Sequence, residues 1–436
     1  MTGGAHTRAV LAMSLGGLLF GFDTAVISGV TEALRNTWEL GPGMLGAVVS
    51  AALWGTLAGA TLSGGPGDRY GSLAVLKAIA ACYVASAVGC ALASGPTAFI
   101  VFRVLGGIAI GASSVLVPVY VAEISPAERR GRLVGLFQFN IVLGILVAYL
   151  SNFLIGQAVA GDLAWRLKLA TAAAPALLFL VLLFGVPRSP VWLAQRGMLD
   201  DARVAAQRLG LSTTTAPSTG EAGANRLSWR LHHRPMLLAV LLALFNQLSG
   251  INAVLYYLND IFAGAGFTRV SADGQAVAVG VANLVGTVAG VALIDRVGRR
   301  PLLIGGGLVT AAALAGVGAV FSGLWPPSAL LPLLVLFILA FAMSQGAVIW
   351  VYLSEIFPAS VRARGQSLGS GTHWAANAVI SLAFPVLADW NRSGPFWLFG
   401  VAMLMQALVV WRLFPETKQR DLDQISAGLT NRARAR

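Results

Sequence analysis

The sequence predicts an all-α polytopic membrane protein, with twelve transmembrane helices arranged as two pseudo-symmetric six-helix bundles. Three observations carry that prediction. Of the 436 residues, 57% are hydrophobic and only 11% are charged, a balance that argues against a water-soluble enzyme. About twelve apolar windows of roughly 20 residues alternate with short polar connections. Two charged motifs recur along the chain at nearly one offset, the mark of an internal duplication. A transmembrane β-barrel is set aside, because continuous runs such as Leu331 to Met343 lack the alternation that its strands require.

The first window, Ala9 to Val30, follows Met1–Arg8 directly. It is longer than a signal-peptide core and carries no obvious cleavage site, so it reads as a retained helix. Met44 to Gly64, Leu73 to Ser94, Thr97 to Ile124, Leu133 to Gly156 and Arg166 to Val186 complete the first six. The second six are Pro235 to Tyr257, Gln275 to Ile294, Pro301 to Gly323, Leu331 to Ile356, Gly365 to Ala388 and Pro395 to Phe414. The expected organisation is therefore an N-terminal bundle (1–186), a cytoplasmic linker (187–234), a C-terminal bundle (235–414) and a cytoplasmic tail (415–436). Within the linker, Met198 to Leu209 has the spacing of a short surface helix, and Ser212 to Asn225 is a low-complexity, flexible stretch.

The net charge of +12 does not point to nucleic acid, because the basic residues are spread over separate loops. With both termini cytoplasmic, about 24 of the 30 Lys and Arg fall on the cytoplasmic side, which sets the expected orientation in the cell (inner) membrane. Cys82 and Cys90 lie on one apolar segment about 12 Å apart, too far for a disulfide. Neither a metal motif nor a cofactor motif is present, and no group of nucleophile, base and orienting residue suggests an enzyme.

After the second helix stands Asp68-Arg69-Tyr70-Gly71, and about 227 positions later, after the eighth, Asp295-Arg296-Val297-Gly298-Arg299-Arg300. Glu123-Ile124-Ser125-Pro126 with Arg130 closes the fourth helix, and Glu355-Ile356-Phe357-Pro358 with Arg362 closes the tenth, about 232 positions on. Acids and guanidinium groups at such helix ends either fix topology or latch a cytoplasmic gate. Ser72 and Leu73 stand in the first copy where the second has Arg299 and Arg300.

Asp23 in the first helix and Arg103 in the fourth are ionisable groups at lipid depth, each the natural partner of the other. They read either as a static buried ion pair or as a proton-coupling pair. Amides gather in the helices: Gln138 and Asn140 in the fifth, Asn246, Gln247 and Asn252 in the seventh, Asn283 in the eighth, Gln345 in the tenth and Asn377 in the eleventh. They suit either helix-to-helix hydrogen bonds or the hydroxyls of an uncharged polyol. Phe20, Tyr256, Tyr257, Trp350 and Trp374 can stack on a sugar ring or fill the core. His373 is the one histidine expected inside a transmembrane helix, where it can hydrogen-bond or titrate.

The chain resembles the sugar porters of the major facilitator superfamily over nearly its whole length. The motifs that carry the resemblance are Gly17 to Gly29, Pro118 to Glu123, Gln247 to Asn252, Asp295 to Arg300, Ser354 to Pro358 and Pro415 to Lys418. The resemblance implies alternating access, a functional monomer and a central sugar site at Gln138, Gln247, Asn252 and Asn283, supported by Phe20 and Trp374. Proton-driven members carry an acid at the position of Asp23, so the resemblance implies symport. Asn246, Gln345 and His373 depart from the residues usual there. Ile145 stands where xylose–proton symporters that resemble the chain have Gln, so a hexose is the expected monosaccharide. A proton-independent facilitator and a cyclitol or polyol carrier are the alternatives within transport. A sugar sensor is the alternative outside it, and only about 22 residues follow Phe414, less than the long cytoplasmic extension expected of one.

Overall fold

With no water at the centre of a bilayer, a spanning segment must satisfy its own backbone, and helix is the structure that does so within one segment. The computed structural model describes residues 3–125, 127–211, 227–358, 361–418 and 429. The chain divides into two units, Met1–Gly220 and Glu221–Arg436.

In the first unit, α1 (Gly3–Val26) continues through a tight turn at Ile27–Gly29 into α2 (Thr31–Thr37). Next come α3 (Pro42–Leu62), α4 (Gly64–Tyr70), α5 (Ser72–Leu92), α6 (Pro96–Glu123) and α7 (Ala127–Ala158). The sixth membrane passage is α8 (Asp162–Ala170) with α9 (Ala173–Phe184), and α10 (Pro190–Gln195) and α11 (Leu199–Leu209) follow it. The second unit holds α12 (Trp229–Leu248), α13 (Ile251–Tyr256), α14 (Leu258–Gly264), α15 (Arg269–Val297) and α16 (Arg299–Phe321). Its remaining helices are α17 (Leu330–Phe341), α18 (Ala347–Glu355), α19 (Arg362–Trp390) and α20 (Gly394–Leu413), with a π turn at Ala342–Gly346 joining α17 to α18.

Among the described residues, eleven passages are long and apolar enough to cross a membrane. The twelfth, α19, has 29 residues and carries Ser367, Thr372, His373 and Asn377 along its length. The units repeat one packing scheme. In the first, α3 lies along α6, α1 along α7 and α5 against α9; in the second, α15 packs on α17, α12 on α19 and α16 on α20. Each unit has its own apolar core: Met13, Leu76, Val117, Tyr120 and Phe179 in one, Leu242, Leu303, Val348, Tyr352 and Val410 in the other. Outward residues of α9 and α20, such as Val181, Phe184, Leu404 and Trp411, are exposed and apolar, as lipid-facing surfaces are.

The first, fifth and eighth helices begin six residues before their expected starts, at Gly3, Ala127 and Arg269, and three others are interrupted. The sixth begins at Asp162 and breaks after Ala170. The seventh runs from Trp229 through a kink at His232 (φ −121°), just before the expected start at Pro235, and breaks at Ser249–Gly250, because Gly250 adopts φ +75°, a left-handed conformation that ends a helix. Ser249 satisfies the freed groups: its hydroxyl donates to the Asn246 carbonyl at 2.6 Å and accepts from Ile251 N–H at 3.2 Å. The tenth is interrupted by the π turn. The expected surface helix of the linker is α11, and the stretch from Ser212 to Asn225 lies outside the described residues.

Candidate functional site

Small residues set the depth at which α6 meets its neighbours. A Cβ on Gly107 or Gly111 would overlap the carbonyl oxygens of Ala52 and Thr56 on α3, so the two backbones touch, as small-residue seams in membranes allow. Gly21 and Gly144 play the same part between α1 and α7. Within this frame Arg103 Nη1 on α6 donates to Asp23 Oδ1 on α1 at 2.7 Å. The side chains are 5% and 17% exposed, and Arg103 Nε is buried without a protein partner among the described residues. Phe20 lies three residues before Asp23, half-buried, with its carbonyl accepting from Thr24 Oγ1 at 2.8 Å. Gln138 is half-buried on α7, and Asn140 bonds its own helix at the Leu136 carbonyl, 2.8 Å away.

In the second unit, the break in α12 brings a group of uncharged polar side chains together. Gln247 Nε2 donates to Asn246 Oδ1 at 3.0 Å and lies 3.0 and 3.1 Å from the two ring nitrogens of His373 on α19. Gln247 Oε1 accepts from Asn252 Nδ2 at 2.9 Å. The ring nitrogen that receives the Gln247 N–H must offer a lone pair, so the imidazole acts there as an acceptor. Trp350 and Trp374 flank His373 with ring centroids 5.2 and 5.1 Å from it. One turn along α19, Asn377 Nδ2 donates to Tyr256 Oη at 3.4 Å and its Oδ1 accepts from Ser381 Oγ at 3.2 Å. Asn283 is buried on α15. Gln345 is elsewhere: at the π turn it is fully buried and donates to Met403 Sδ on α20 at 3.0 Å.

The charged helix ends differ between the units. In the second, Arg299 grips Glu355 in a two-pronged contact, Nη2 to Oε1 at 2.9 Å and Nε to Oε2 at 3.3 Å, while its Nη1 reaches Asp295 Oδ1 at 3.0 Å. Planar guanidinium matches carboxylate in this way and lysine cannot. Thr417 Oγ1 donates to Glu355 Oε2 at 2.6 Å. Glu416 caps the start of α16, accepting the N–H groups of Arg299 and Arg300 at 3.0 Å each, and also those of Thr417 and Lys418 at 2.9 Å. Burial alone would raise the Glu416 carboxyl, but these four amides reverse that and hold it below the ordinary carboxylate value. Gly298, at φ +104°, turns the chain between α15 and α16; a Cβ there would stand 2.8 Å from Glu416 Oε2. Lys418 Nζ donates to the Arg296 carbonyl at 2.6 Å, Arg300 also donates to the Trp411 carbonyl, and Arg362 Nε donates to the Phe357 carbonyl at 3.4 Å.

The first unit has the same turn at Gly71, φ +85°, but Ser72 and Leu73 follow it and both are buried. No guanidinium reaches Glu123 from this position, and Glu123 Oε2 is buried without a protein partner among the described residues. Asp68 and Arg69 are exposed, and their backbone carbonyls are held instead: Trp192 Nε1 donates to Asp68 O at 2.9 Å, and Arg196 Nη2 to Asp68 O and Arg69 O at 3.0 and 2.9 Å. The side chain of Arg130 lies outside the described residues. Sequence reasoning missed Glu416, Thr417, Trp192 and Arg196 as partners of these ends. The Pro415 to Lys418 motif was a signal for the first two, and the segment Pro187 to Trp192, which resembles a motif that sugar porters carry after the sixth helix, was one for Trp192; nothing local marked Arg196.

The family model described as sugar (and other) transporter matches residues 9–429. The D-xylose-proton symporter of Escherichia coli strain K12 is 34% identical over 96% of this chain and 94% of its own length. The glucose transport protein of Synechocystis sp. strain ATCC 27184 / PCC 6803 / Kazusa is 34% identical over 97% and 98% of the two chains. Among solved structures, the xylose transporter XylE from E. coli in a partially occluded inward-open conformation aligns with a TM-score of 0.84 and 34% identity, covering 96% of this chain and 99% of that one.

Proposed function

We propose that this chain, which belongs to the sugar transporter family of the major facilitator superfamily, imports a hexose by proton symport through alternating access. The buried 2.7 Å pair of Asp23 and Arg103 carries the reading. An acid that is paired at lipid depth, yet 17% exposed, has both a counter-charge and a route to a proton. The uncharged group around Gln247, Asn252, His373 and Asn377 supports a neutral cargo, since amides and a neutral imidazole supply donors and acceptors for hydroxyls without a charge to select an ion. Trp350 and Trp374 offer apolar faces for a sugar ring. Ile145 is buried and apolar on α7, which supports a hexose over xylose by the resemblance; the identity to a xylose symporter makes a pentose the second reading.

In the cycle, protonation of Asp23 from outside weakens its hold on Arg103, sugar binds, and the outer side closes as the cytoplasmic ends part. The Asp295–Arg299–Glu355 contacts and their weaker first-unit counterparts at Asp68, Arg69, Glu123 and Arg130 serve as the cytoplasmic latches. Proton release inside resets the carrier. One proton crossing 100 mV supplies about 2.3 kcal/mol, enough for roughly fifty-fold accumulation at one-to-one coupling. The protein works as a monomer in the inner membrane with both termini cytoplasmic, the side to which the Lys and Arg bias points.

The test is uptake of labelled glucose, galactose, xylose, arabinose and inositol into proteoliposomes, with and without an imposed proton gradient, for wild type and Asp23→Asn. The expected result is gradient-driven hexose accumulation in the wild type and exchange alone in the variant. Equal, gradient-independent equilibration by both replaces symport with facilitation, and selective movement of xylose or inositol reassigns the cargo.

A further inference from the structure

We infer that a bound water cluster occupies the junction of α16, the π turn and α20, a polar site separate from the amide group around Gln247. Three buried faces meet there. Gln345 in the π turn donates to Met403 Sδ on α20. Gly307 on α16 is so placed that a Cβ would stand 3.5 Å from the Met403 carbonyl and 3.9 Å from Gln406 Nε2, and Ser344 Oγ fills the space beside Gly306. Thr310 lies one turn beyond Gly306 and Gly307, and Gln406 one turn beyond Met403, so all share the junction. Gln345 and Thr310 are 0% exposed, Ser344 and Gln406 1%.

Four polar atoms in this junction, Gln345 Oε1, Gln406 Oε1, Gln406 Nε2 and Thr310 Oγ1, are buried with no protein hydrogen-bond partner among the described residues. Buried polar groups in folded proteins are almost always paired, with water where protein does not serve. The atoms specify the ligand. The amide oxygens only accept, the amide nitrogen only donates, and the threonine hydroxyl does both. A cation would face the amide hydrogens and an anion the carbonyls, whereas water donates and accepts. Exchanging the oxygen and nitrogen of either amide leaves the same mixture, so the assignment does not depend on amide orientation. A buried water makes about three hydrogen bonds, which these groups can provide. The π turn, a wide turn of the kind found where a helix departs from regular packing, is what holds Gln345 in this junction.

X-ray radiolytic footprinting of the full-length transporter in detergent or nanodiscs tests this, because hydroxyl radicals made from a buried water label the side chain beside it. Met403 and Met13 are both 0% exposed, but Met13 sits in the apolar core of the first unit. The expected result is labelling of Met403 several-fold faster than Met13, falling to the Met13 rate in a Gln345→Leu/Gln406→Leu double variant. Wild-type Met403 as silent as Met13 overturns the inference, as does undiminished labelling in a double variant whose Met13 stays protected. Should the double variant fail to purify, the wild-type rate ratio decides by itself.

Discussion

Arg103 on α6 holds Asp23 on α1 across 2.7 Å, with both side chains largely withdrawn from solvent. Removing one partner of such a pair leaves a buried charge uncompensated, whereas neutralising both does not. Arg103→Ala is therefore expected to destabilise the protein by about 3–5 kcal/mol, and Asp23→Asn/Arg103→Gln to recover most of that. Thermal unfolding followed by fluorescence-detected size exclusion reads both. A double variant as unstable as the single one would mean that the pair contributes no charge balance.

Arg299 binds Glu355 through two nitrogens while a third reaches Asp295. Arg299→Lys keeps the charge and loses the two-pronged geometry, so it should cost about 1.5–3 kcal/mol of stability. Ser72, at the equivalent place in the first unit, makes no such contact, and Ser72→Ala should change stability little. Equal losses for the two substitutions in unfolding experiments would show that the difference between the units is not energetic.

Glu416 receives four backbone N–H groups at the start of α16, and its carboxyl sits below the ordinary value of 4.5. A depressed acid contributes stability that is fully present above its unfolded value and is lost as pH falls through its folded value. The wild type is thus expected to lose stability below about pH 4.5 more steeply than Glu416→Gln, which has no carboxylate to protonate. Melting curves between pH 3 and pH 7 compare them; parallel profiles would remove Glu416 from the acid response.

His373 accepts the Gln247 amide that would otherwise lack a partner on that side. His373→Leu leaves that N–H buried and unpaired, a loss of about 1–3 kcal/mol, which corresponds to a KM for sugar raised about 5- to 150-fold. His373→Gln preserves an acceptor and should keep uptake while changing the ranking of sugars. Uptake kinetics over the sugar panel separate the two; unchanged KM in the leucine variant would place His373 outside recognition.

Much of the molecule was legible in sequence because lipid imposes a local rule: a run of about 20 apolar residues must be a helix whatever its neighbours are. The helix windows, the duplicated charged motifs and the amides near Gln247 follow from local composition and spacing, and the Asp23–Arg103 pairing from the need of each charge at lipid depth for an opposite one. Tertiary structure decided what depends on several elements at once. It broke the seventh helix at Gly250, where the left-handed backbone and the ring of Phe399 meet. It joined Gln247 to His373 across 126 positions and carried Glu416 and Thr417 to Arg299 and Glu355. It also turned Gln345 toward α20, although by residue type it belongs with the other amides. A sequence specifies which groups must be satisfied, and the packing of helices determines which group satisfies which, because in a dry interior each donor takes the partner that close packing leaves within reach.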